Sequence, residues 1–93
     1  MATAIAAKFP LGQTVITPNA LAGLTQADVL TALGRHAAGD WGDVNAEDWE
    51  ENDRALQQGD RLLSAHQSAA GVKFWVITEW DRSVTTVLLP EDY

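Results

Sequence analysis

Residues 72–79, Val-Lys-Phe-Trp-Val-Ile-Thr-Glu, constrain the fold more than any other stretch of this sequence. Their β-branched and aromatic side chains suit an extended strand. Alternation places Phe74 and Val76 on one face and Trp75 and Ile77 on the other. A strand apolar on both faces must sit inside a sheet and be covered twice. Residues 61–66 and 84–89 flank it as two further extended runs, joined to it through residues 67–71 and 80–83. Loops this short connect antiparallel neighbours, so the second half of the chain reads as a three-stranded antiparallel meander.

The first half carries helical signals instead. Residues 13–17 (QTVIT) form a short strand, after which Thr17 caps a helical turn that Pro18 opens and Gly23 stops. Thr25 and Asp28 have the spacing of a capping box, and Leu24 and Val29 that of a hydrophobic staple. Val29, Leu30, Leu33 and Ala37 continue this second helix as one apolar stripe, ended by Gly39 in a left-handed conformation. Asn45 caps a third helix, residues 46–58, whose inner face holds only Ala46, Trp49 and Leu56, with Asn52 among them as a buried hydrogen-bonding residue. The expected fold is a single α+β domain over residues 1–93: a short N-terminal strand, two to three helices, then the antiparallel meander with the helices on one face. Residues 1–9 are expected to be a ragged, disordered start. Two helices of about thirteen residues cover one sheet face but not two, so the second face is expected to be covered by a second copy or another partner.

Charge is distributed unevenly. Of thirteen acids and six bases, the segment 40–60 holds eight acids and one base, Arg54. That segment therefore carries the whole net charge of −7, and the remaining five acids and five bases cancel. Such a face repels phosphate backbones, no basic cluster offsets it, and direct nucleic-acid binding is not expected. A basic protein partner would be steered toward it. Without cysteine there is no disulfide framework, no thiolate metal site and a fit to a reducing cytoplasm. No apolar run reaches the roughly 18 residues of a membrane span, and the opening residues have neither the basic start nor the length of a secretory signal.

Two strings resemble a known group. His36-Ala37-Ala38-Gly39-Asp40-Trp41-Gly42-Asp43 is similar to an HxxGDWGD signature, and residues 77–93 resemble an ITExDRSxTT…LLPEDY signature. Both belong to small bacterial proteins called plasmid-related or hypothetical, some labelled as a type I restriction enzyme M subunit. The resemblance implies an accessory-genome setting (plasmid, integrated element or phage) and supplies no activity. The chain departs from the group at Trp80, where a small residue is usual, and at His66, where Tyr is usual.

Two sets of residues are candidates for function. Asp40, Trp41, Asp43, Glu47, Glu50, Glu51 and Trp80 mix acids with aromatics, which suits a surface for a basic protein partner more than a solubilising face. Trp41 and Trp80, both in connections, are expected to be exposed anchors, and Trp49 to be core. An anti-defence inhibitor is the most specific version of this reading. The rival set is His36, Glu79, Asp81 and Arg82, which beside Thr85 and Thr86 could form the acid–base pair and anion clamp of a small enzyme or nuclease-like toxin. Each of these also has a plain structural explanation. His36 stands at a helix C-terminus, where positive charge is favoured, and Asp40 turns the loop after it. Asp81 would bond to backbone amides of a hairpin, with Arg82 pairing a nearby carboxylate. No phosphate loop, nucleophile elbow or metal-binding spacing is present, and neither metal nor cofactor is expected.

Overall fold

The computed structural model describes residues 7–93, and the reading of residues 1–6 lies outside them. The chain folds as α+β in the order β1 (Gln13–Ile16), α1 (Pro18–Gly23), α2 (Gln26–Ala37), α3 (Ala46–Gln58), β2 (Leu62–Gln67), β3 (Lys73–Thr78) and β4 (Val84–Leu88). A short 3-10 turn, Pro90–Asp92, follows. The expectation of a ragged start does not hold at residues 8 and 9: Phe9 is buried, and Lys8 donates its backbone N–H to the Ala37 carbonyl at 2.8 Å.

Local signals place the helices. The Thr25 hydroxyl accepts from the Asp28 amide and the Asp28 carboxylate from the Thr25 amide, which completes the capping box of α2. The Asn45 side chain accepts from the Asp48 amide at the start of α3, and Gly59 at its end has φ +77.

β2, β3 and β4 form the expected antiparallel meander. The sheet is nevertheless mixed: β1 joins it in parallel alongside β4, in the order β1-β4-β3-β2. A connection that leaves the sheet through three helices and returns on the far side makes this pairing possible, and local sequence patterns do not register contacts that distant. Register then sorts the side chains. Phe74, Val76 and Val87 face α1 and α2 and pack with Ala20, Leu24, Val29 and Ala32. On the opposite face Ile77 and Leu88 are only 2% and 5% exposed in the single chain. There the C-terminal Tyr93 ring meets Trp75 at 5.6 Å, and Arg61 lies over Tyr93 at 5.3 Å.

The two edges of the sheet differ. The outward backbone of β2 is occupied: the Asn52 side chain donates to the Leu63 carbonyl at 2.8 Å and accepts from the Leu63 amide at 3.0 Å. Further along, Ala65 donates to the Trp41 carbonyl and accepts from the Asp43 amide. Asn52 and the 41–43 loop thus act together as a partial fifth strand and fix α3 against the sheet. Gly42 makes this approach possible, since its φ is +72 and a Cβ there would stand 2.0 Å from the Ala65 carbonyl oxygen. The β1 edge has no such cover among the described residues. Among the described residues, no helix is long and apolar enough to cross a membrane.

Candidate functional site

His36 is sealed at the centre of the molecule with no exposed surface. The last turn of α2 brings it over the sheet, where Ser64, Thr78 and Thr85 occupy inward positions on three successive strands. Its Nδ1 lies 2.6 Å from the Ser64 hydroxyl and its Nε2 2.9 Å from the Thr78 hydroxyl. Ser64 continues to His66 Nε2 at 2.8 Å, and Thr78 to Thr85 at 2.7 Å. Thr85 ends the run by donating to the Leu11 carbonyl at 2.6 Å.

Counting protons gives the chain a single direction. The Leu11 carbonyl can only accept, which spends the Thr85 proton, so Thr78 must donate to Thr85. Thr78 then accepts from His36, which carries its proton on Nε2. The His36 Nδ1 lone pair takes the Ser64 proton, and Ser64 accepts from His66 Nε2. The remaining acceptor, His66 Nδ1, is buried without a partner beside the backbone of Gly42.

Burial makes both rings neutral. It pushes His36 down to about 3, with the neighbouring His66 and then Arg82 adding to the shift. It pushes His66 down to about 4, aided by Arg35 and opposed by Asp40 and Asp43. The expectation of a charge-favoured His36 at a helix end is therefore corrected: the cost of dehydrating an imidazolium in the core outweighs the helix dipole.

The other members of the rival set are engaged elsewhere. Glu79 pairs with Arg61 at 3.6 Å on the surface. Asp81 is exposed and accepts from the amide and the hydroxyl of Ser83, which holds its carboxyl below the ordinary value. The expected carboxylate partner of Arg82 is replaced by backbone: its guanidinium donates to the carbonyls of Asp60 (2.5 Å), Glu79 (3.2 Å) and Ala55 (3.3 Å). Arg82 also lies 5.6 Å over the Phe9 ring, which meets His36 nearly at right angles, 5.4 Å between ring centres, and stacks on Trp41. Thr85 is in the polar chain, whereas Thr86 is on the opposite sheet face. His36 has no exposed surface, and its polar partners link α2 to three strands of the sheet. Among the described residues, no group of three His, Asp or Glu side chains is arranged to hold a metal ion.

Sequence reasoning missed Ser64 and Thr78 in this cluster. The signal was available, because both fall on the inward face of strands otherwise occupied by Leu62, Phe74 and Val76. A small polar residue there requires a buried partner.

The acidic surface is only partly as expected. Trp41 is not an exposed anchor. It is fully buried (0% exposed) between Phe9 and His36, and its indole N–H donates to Asp53 at 2.9 Å. The pairing of the 41–43 loop with β2 draws the ring inward. Trp80 is 66% exposed, Trp49 is half-buried against the Trp41 cluster, and Asn52 is the buried hydrogen-bonding residue expected. Asp40 is neutralised by Arg35 at 2.9 Å and accepts from the Gly42 amide. Arg54 pairs with Glu51 within α3. Among the described residues, the carboxylates of Asp43, Glu47, Asp48 and Glu50 have neither a hydrogen-bond partner nor an ion-pair partner, and all four residues are exposed. Compared with known proteins, the chain matches no family model, no curated protein and no solved structure.

Proposed function

We propose that the chain is a non-catalytic binding module that docks onto a basic protein surface through the acidic face of α3 and the loop before it. The observation behind this reading is the set of exposed, unpartnered carboxylates of Asp43, Glu47, Asp48 and Glu50, next to a base, Arg54, already committed to Glu51. Among the described residues, no cation forms an ion pair with any of these four carboxylates. Arg35 is bound to Asp40, Arg61 lies near Glu79, and both histidines are neutral at pH 7. Trp80 belongs to the hairpin that Arg82 ties to the C-terminal end of α3, and it supplies an exposed aromatic for the same contact.

Attraction between such a face and a basic partner speeds encounter and weakens as salt is added. The likeness to small plasmid-related proteins makes inhibition of a host defence protein the most specific form of this proposal. Reversal of Glu47, Glu50 and Glu51 to Lys tests it: recovery of the partner from a bacterial lysate is lost if α3 is the contact, and is unchanged if it is not.

A further inference from the structure

We infer that the open β1 edge and the apolar groove beside it form an interface between two copies of this chain. Among the described residues, β1 is a terminal strand with β4 as its single neighbour. The Gln13 and Thr17 amides donate to the Ser83 and Val87 carbonyls, so by alternation the backbone groups of Thr14 and Ile16 point away from the sheet. Next to them on the helix side is a groove of about 600 Å³. Ile16, Leu24, Val29 and Leu33 line it together with Leu21 and Leu30, which are 66% and 60% exposed. Among the described residues this edge is bare, whereas Asn52 and the 41–43 loop close the β2 side. Nothing on β1 itself guards it, since Gln13-Thr14-Val15-Ile16 contains no charge and no proline.

Charge selects the occupant. A chain of net charge −7 repels its own kind over most orientations, but residues 9–34 contain a single ionisable side chain, Asp28. The carboxylate of Asp28 is occupied by the amides of Thr25 and Ala69. The acidic helix α3 is packed along β2, at the other end of the sheet. Two copies therefore meet most easily β1 to β1. A two-fold axis at Val15 sets Thr14 opposite the second copy's Ile16 and Ile16 opposite its Thr14, giving four backbone hydrogen bonds in an antiparallel pair. Val15, 41% exposed, then faces its own counterpart, and Leu21 and Leu30 face the second groove.

Sedimentation equilibrium tests this, over protein concentrations from about 10 to 500 µM, the range suited to a small, transient interface. The average mass should climb from 10.0 kDa toward twice that value, and further at high salt, which screens the repulsion. High salt weakens the acidic-face contact of the proposed function, so the two surfaces are told apart by the sign of the salt effect. Leu21→Gln with Leu30→Gln changes exposed positions without altering charge, and Thr14→Pro removes an outward amide on an edge strand, where proline is tolerated; both variants should stay monomeric. Hydrogen exchange at the Thr14 and Ile16 amides should slow with rising concentration in the wild type alone. A monomer at the highest concentration and salt, or association equally strong in the variants, overturns the inference.

Discussion

The Nδ1 of His36 accepts a 2.6 Å hydrogen bond from Ser64 midway along a run of buried polar groups that starts at His66 and ends on the Leu11 carbonyl. Both imidazoles are uncharged there, with values pushed down to about 3 and about 4. In the unfolded chain a histidine titrates near 6.5. Between pH 6.5 and 4, unfolding takes up protons that the native state refuses, so acid favours the unfolded form. Stability should be full above pH 6.5 and fall below it, by up to about 2.7 kcal/mol per pH unit if both rings protonate on unfolding. The lowered carboxyls of Asp28, Asp40, Asp81 and Asp92 act in the same direction only below their ordinary 3.8, outside this window. Urea midpoints at pH 7, 6 and 5 check this, and a flat profile would contradict the neutral pair. His36→Gln should remove about half of the slope.

Asn52 holds the outer edge of β2 through both atoms of its amide. Asn52→Ala removes both bonds and leaves the Leu63 amide and carbonyl without partners next to the core. The expected loss is about 2–3 kcal/mol, read as a lower urea midpoint with the slope unchanged. Asn52→Asp retains the acceptor for the Leu63 amide but loses the donor, and should recover only part of the stability.

Two glycines should respond in opposite directions to alanine. At Gly42 a Cβ would collide with the Ala65 carbonyl oxygen and the backbone is left-handed, so Gly42→Ala should cost at least about 2 kcal/mol or prevent folding. Gly34 lies within α2 with nothing near its missing Cβ, and Gly34→Ala should stabilise by about 0.5–1 kcal/mol. Thermal melts of the two variants decide both expectations.

The elements visible in the sequence were those marked by short-range chemistry. Asn45 and Gly59 bracket α3, Thr25 and Asp28 open α2, and the alternation of Phe74 and Val76 with Trp75 and Ile77 identifies the inner strand. What was hidden depends on distant contacts. The parallel pairing of Gln13 with Val84 joins the two ends of the chain. Trp41 looked like a loop aromatic because nothing adjacent announces that its backbone pairs with Ala65. At the candidate site, the acids of α3 were legible as a block, but the withdrawal of Asp40 by Arg35 and of Glu51 by Arg54 requires the folded geometry.

The most direct test of the docking proposal compares capture by the wild type with capture by a Glu47→Lys, Glu50→Lys, Glu51→Lys variant at low and high salt. A second variant adds positive charge at exposed positions away from α3, through Thr31→Lys, Ala70→Lys and Glu91→Lys. The proposal predicts a partner held at low salt by the wild type and by the second variant, released by salt, and lost at least about tenfold from the α3 variant. Equal recovery from all three proteins would contradict a contact through α3.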